Sequence, residues 1–119
     1  RLNGNGEISR DFTFVGDVVK SVGVLIKSQK NYPRVLNIGG GNVYQMNELI
    51  STIQEVTGKS IDIEYMPENM QDLKTTRAET LLQESILGSS PTTNLLLGLT
   101  SMNDWISTLE DSNEFLTWK

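Results

Sequence analysis

The sequence predicts an α/β fold, a small mixed sheet of about three short strands with about four helices. Three observations carry that expectation. Short β-rich runs alternate with apolar stripes of helical spacing, Gly or Pro stands at the junctions, and 119 residues with 37% hydrophobic and 21% charged side chains suit one globular unit better than a disordered chain. A single domain, 1–119, is expected, of a length that ordinarily buries about two thirds of the surface its unfolded form exposes.

The elements follow in order. Gly4-Asn5-Gly6 is turn chemistry, and Asp11 to Val15 alternates Phe12 and Phe14 with Asp11 and Thr13, which predicts a first strand. Asp17 is suited to cap the next helix, whose stripe of Val18, Val22 and Leu25, with Val19 and Ile26, runs to about Ser28. Asn31-Tyr32-Pro33 ends it. Val35 to Ile38 reads as a second strand, closed by Gly39-Gly40-Gly41, where the backbone is free to take positive φ. Asn47 is the expected N-cap of a second helix with Met46, Leu49, Ile50, Ile53 and Val56 on one face and Gly58 at its end. Ile61, Ile63 and Tyr65 alternate with Asp62 and Glu64 as a third strand with one wet face. Pro67 to Thr76 is a polar connection of the kind that carries function. Leu81, Leu82 and Ile86 predict a third helix stopped by Gly88, and Pro91 then breaks the path. Leu95, Leu99, Met102, Ile106 and Leu109 form the last stripe, capped by Asn94 or Thr93. Three short strands are a thin sheet for four helices, so at least one apolar face is expected to meet a partner outside this chain.

Composition narrows the chemistry. With no Cys and no His, thiolate and imidazole catalysis and the usual zinc ligands are excluded, leaving carboxylates, Arg, Lys, Ser, Thr and Tyr; no metal site is expected. Ten Lys and Arg against fifteen Asp and Glu give a net charge of −5, the wrong sign for generic binding to nucleic acid or anionic lipid. A polyanionic ligand would need a local cation. No apolar run approaches the ~18 residues of a membrane span, so a soluble, cytoplasmic protein is expected. Arg1 is not an initiator Met, and the expectation is of a piece of something longer.

Candidate site residues are few. Arg10 heads the predicted Phe12–Val15 strand beside a glycine turn, where a guanidinium fork suits a diphosphate. The plain alternative is a surface ion pair with Asp11, Glu7 or another acid. Asp72 lies in the polar connection, where a carboxylate can accept from vicinal sugar hydroxyls or simply stand in water. Gly39-Gly40-Gly41 does not make a dinucleotide loop, because Asn42 to Gln45 follow where G-x-G-x-x-G must open a helix. Tyr32, Tyr44 and Tyr65 are followed four positions later by Leu36, Glu48 and Asn69, so no Tyr-x-x-x-Lys pair exists. Trp105 and Trp118 read as packing residues. No complete active site is present.

These pieces nevertheless stand in a telling order. Gly4 to Val18 resembles the G-[DN]-G-x-x-x-R-D-[FYW]-x-[YFH]-V-x-D-[VL] segment of extended short-chain dehydrogenase/reductases, the NAD-dependent epimerase/dehydratase family. Asn37-Ile38-Gly39 is similar to its N-[IL]-G strand end, Pro67 to Asp72 to its P-x-R-x-G-D loop, Ser85 to Pro91 to its x-x-x-L-G-[WY]-x-P, and Leu95 to Trp105 to its L-x-x-G-[LI] helix. The resemblance implies that this chain is the carboxy-terminal, substrate-binding part, with the amino-terminal Rossmann half absent. That half would hold NAD and the catalytic Ser/Thr, Tyr and Lys; no cofactor is expected on this part, and no catalytic residue. Arg10 then matches the arginine on the nucleotide diphosphate, Asp72 the acid on the nucleoside ribose, and Asp17 a structural Asp. Asn69, the third expected substrate-binding residue, stands where many relatives have a second phosphate-binding Arg, Gln71 replaces the loop Gly, and Glu79 replaces the usual Asp after Ala78. Losing one cationic clamp without replacement weakens diphosphate binding by roughly 1.5–3 kcal/mol. Phe12 and Val18 tilt the resemblance from the dehydratase or reductase branches toward UDP-glucose or UDP-N-acetylglucosamine 4-epimerases, in which NAD oxidises the sugar C4 hydroxyl and hydride returns to the other face. The resemblance implies as partners a nucleoside-diphosphate sugar, of the UDP-sugar class, and the missing half. A stand-alone nucleotide-sugar-binding module and a non-catalytic fragment are the rival readings.

Overall fold

The structure, a computed structural model, describes residues 1–27, 33–88 and 93–112. Its strands are shorter and lie elsewhere than the alternation suggests. β1 (Leu2–Asn3) pairs in parallel with β4 (Tyr65–Met66). β2 (Ser9–Asp11) is the centre of a three-stranded mixed sheet, antiparallel to β3 (Val43–Gln45) and parallel to β5 (Thr75–Thr76). Arg10 therefore sits mid-sheet, opposite Tyr44 on one side and Thr76 on the other.

Four helices stand among the described residues, as expected: α1 (Val15–Lys27), α2 (Met46–Thr57), α3 (Leu81–Leu87) and α4 (Leu95–Ser112). Their ends follow local chemistry. Gly58 and Gly88 close α2 and α3 in the left-handed conformation, φ 66° and 75°, each N–H reaching back to the carbonyl four residues earlier. Asn94 Oδ1 accepts the Leu97 N–H at 2.9 Å and opens α4.

Several expectations are corrected. Phe12 to Val15 is not a strand, because the Phe14 carbonyl already accepts the N–H of Asp17 and Val18 and starts α1. Asp17 consequently lies inside the first turn rather than capping it. Val35 to Ile38 joins no ladder, and of Ile61 to Tyr65 only Tyr65 does. Asn47 is not the cap of α2: Gln45 is, its N–H donating to Glu48 Oε2 at 2.6 Å, while Asn47 Nδ2 ties back to the Asn5 carbonyl of the glycine turn. The stops expected at Asn31-Tyr32 and Pro91, and Trp118, fall outside the described residues.

The expected core is replaced by open apolar faces. No described apolar side chain is fully buried, and the accessible surface of 9064 Å² far exceeds the roughly 6,500 Å² of a compact chain of this mass. On α1, Val15, Val19, Val22 and Ile26 make an unbroken helical stripe that points outward, Val15 and Ile26 being 68% and 79% exposed. α2 packs on α4, and the two frame a groove of about 670 Å³ with the Phe12–Val15 segment. Phe12, Phe14, Leu49, Leu99, Met102 and Trp105 are among its walls. Trp105 lies on α4 as expected but is 58% exposed on the groove wall, not packed. No described helix is long and apolar enough to cross a membrane.

Candidate functional site

Polar groups, the half-buried Asp11 and the buried Gln83, hold the segments beside Arg10. Asp11 accepts the Gly40 N–H and the Thr13 hydroxyl on Oδ1, at 3.2 and 3.3 Å, and the Gly41 and Ala78 N–H groups on Oδ2, both at 3.1 Å. Thr13 Oγ1 also takes the Gly40 N–H at 3.0 Å. Gln83, wholly enclosed, makes a two-way amide pair with Gly39: Oε1 accepts its N–H at 2.8 Å and Nε2 donates to its carbonyl at 3.3 Å. All three glycine amides are therefore engaged inside the chain. Packing explains part of the composition, since a side chain on Gly39 would run into Ala78, and Gly41 has φ +72°. A loop whose backbone donors are all taken has none to offer a phosphate, so Gly39–Gly41 is not built as a phosphate-binding turn.

The structure brings Arg10 and Asp72 together. The two Nη1 protons of Arg10 go to the carbonyls of Ser9 and Leu73, both at 2.8 Å, and Nη2 donates to Asp72 Oδ1 at 2.5 Å. Their side chains are 26% and 33% exposed, so the pair is reached by solvent yet partly shielded. Three features put it there. β2 supplies Arg10, the Ser9 N–H bonds the Lys74 carbonyl, and β5 pairs in parallel just beyond, fixing the Pro67–Lys74 loop along β2.

Asn69 is not placed on Arg10. Its side chain accepts the Gln71 N–H at 3.0 Å and its carbonyl accepts the Asp72 N–H at 3.0 Å, a turn that presents Asp72. The surface ion pair weighed for Arg10 thus has Asp72, not Asp11 or Glu7, as its partner. Sequence reasoning missed Asp11 and Gln83 as organisers of the loop. It also passed over Lys74 and Arg77, exposed cations flanking β5 beside Thr76, the ladder partner of Arg10. Only the β2–β5 pairing reveals them, and no local motif encodes that pairing.

Asp17, in the first turn of α1, ties that helix to the start of α4. It is 5% exposed and accepts the Thr93 N–H at 3.1 Å. Burial pushes its carboxyl up, but the Thr93 hydroxyl and N–H, with the Lys20 ammonium, outweigh that and hold it below the ordinary value. The role is structural, pinning the start of α4 to α1. Among the described residues no group of three or more acidic side chains is placed to hold a metal ion.

No protein-family model matches the chain. It is 26% identical, over 89% of its length and 34% of the relative's, to an uncharacterized UDP-glucose epimerase of Bacillus subtilis. Among solved structures, the UDP-glucuronic acid 4-epimerase of Bacillus cereus, in complex with UDP-glucuronic acid and NAD, is similar at a TM-score of 0.78 with 29% identity, over 91% of this chain and 35% of that one. The UDP-glucose 4-epimerase of Thermotoga maritima with UDP-glucose gives 0.75 and 26%, again over 91% and 35%. The chain spans about a third of the length of the curated relatives it matches.

Proposed function

From a chain whose sequence and fold match the carboxy-terminal part of the short-chain dehydrogenase/reductase epimerases, we propose that it is the nucleoside-diphosphate-sugar-binding portion of a cytoplasmic NAD-dependent nucleotide-sugar 4-epimerase. Arg10 holds the diphosphate and Asp72 the nucleoside ribose, on a loop shaped by Asn69. The observation that carries the reading is the convergence of Arg10 and Asp72, 62 residues apart in sequence, at one half-shielded place. Chemistry on the sugar belongs to the remaining part of the enzyme, and this portion is inactive alone. The engaged Gly39–Gly41 amides support assigning NAD elsewhere.

The physical logic is that of anchored catalysis. Binding energy drawn from the unreactive nucleotide positions the reacting sugar carbon, and a residue can serve that end without touching the carbon. The missing half is the proposed partner for the bare apolar faces, the α1 stripe and the α4 groove. Burying them would remove the exposure of Val15, Ile26 and Trp105 that water opposes here.

Titration calorimetry with UDP tests the reading. Micromolar binding by the chain, weakened at least about tenfold in Arg10→Ala, is the expected result for one charge-assisted contact. An unchanged affinity in Arg10→Ala rejects the assignment of Arg10. Measurable epimerisation by the 119 residues with NAD supplied rejects the division of labour.

A further inference from the structure

We propose that Asp72 is a counter-ion gate on Arg10: it neutralises the guanidinium and yields it to a diphosphate only when the ligand also brings a vicinal diol for the carboxylate. The site thereby selects nucleotides over bare polyphosphates. This inference rests on the nucleotide-binding reading and adds to it what decides between anions.

The geometry supplies the argument. Two carbonyls, of Ser9 and Leu73, take both Nη1 protons, so the guanidinium is pinned in its plane and cannot swing out to meet a ligand. The approach left to an anion is through Nε and Nη2, and Nη2 already donates to Asp72 Oδ1. A phosphate coming to that edge meets a carboxylate sharing the same donor. Like charges a few ångström apart in a half-shielded site repel strongly, so a ligand made only of acceptors must expel Asp72 and leave it unpaired.

A nucleoside diphosphate solves both problems at once. Its phosphate replaces Asp72 on Arg10, while its diol offers two O–H donors to an acceptor-only carboxylate, whose Oδ2 has no hydrogen-bond partner among the described residues. Asp72 is able to make that exchange because its loop is exposed, whereas its backbone N–H is held by the Asn69 carbonyl and keeps the side chain at the site. Specificity then comes from the repulsive element as much as from the attractive one.

The test titrates UDP and inorganic pyrophosphate into the chain, Asp72→Asn, and Glu68→Gln. The last removes one nearby loop charge without touching Arg10. The parent is expected to prefer UDP by at least about tenfold; in Asp72→Asn pyrophosphate tightens about fivefold or more while UDP weakens, and Glu68→Gln leaves both within about twofold. Asp72→Ser, with folding followed by circular dichroism, must move pyrophosphate in the same direction. If UDP binds the parent but pyrophosphate is unchanged or weaker in Asp72→Asn, or gains equally in Glu68→Gln, the gate is overturned and the nucleotide site stands. If the parent does not bind UDP, the nucleotide reading falls and the selection falls with it.

Discussion

Replacing Asp11 should be far more damaging than replacing any other half-exposed carboxylate in this chain. In Asp11→Ala, the N–H groups of Gly40, Gly41 and Ala78 and the Thr13 hydroxyl lose an ionised acceptor. A hydrogen bond to a charged group is worth about 1.5–3 kcal/mol, but these four act as one network and are partly reached by water, while Thr13 Oγ1 retains the Gly40 N–H. A combined loss of about 3 kcal/mol follows, a large share of the ~5–15 kcal/mol of a typical domain, and it lowers the unfolding midpoint by roughly 15 °C. Asp11→Asn keeps one acceptor oxygen but turns an amide NH2 toward backbone donors, so about half the loss is expected. Urea and thermal unfolding followed by far-ultraviolet circular dichroism measure both. Unfolding free energies of both variants within about 0.5 kcal/mol of the parent would show that the carboxylate is not what ties β2 to the glycine loop.

Asp17, held below its ordinary value of 3.8, contributes stability that is complete above that value and is lost as pH falls through the lower folded one. The stability difference between parent and Asp17→Asn should therefore shrink as pH drops from about 6 to about 2.5, and a difference that grows on acidification would reverse the sign. Gly23 lies inside α1 with open space where a Cβ would stand, whereas Gly58 has the same space but φ +66°. Gly23→Ala should raise stability by up to about 1 kcal/mol and Gly58→Ala lower it by about 1 kcal/mol, a contrast in denaturant midpoints that available volume alone does not produce.

Helices were legible because their signals are local. Gly58, Gly88 and Asn94 do at their termini what their chemistry suggests within a few residues of sequence. Strands were not. Val35 to Ile38 is β-rich yet ends at a glycine held by the Gln83 amide rather than by a ladder, and β2 is built from Ser9, Arg10 and Asp11, which β propensity disfavours or ignores. Alternation of Phe12 and Phe14 marked a groove wall instead of a pleat. Arg10 and Asp72 were candidates from their residue types and settings and were favoured through a resemblance, but their mutual contact needs a parallel pairing between segments more than sixty residues apart, which no window of sequence contains.

That pairing also sets a timetable. Leu2–Asp11 and Tyr65–Thr76 run alongside each other, joined at β1–β4 and again at β2–β5. The hydrogen bonds of α2 are local to its own turns, but Arg10 cannot meet Asp72 until the chain has been synthesised through β5 and the long connection has closed. Assembly of the Arg10–Asp72 pair is consequently a late, slow event, and its rate reports the non-local closure of the whole unit rather than the formation of any helix.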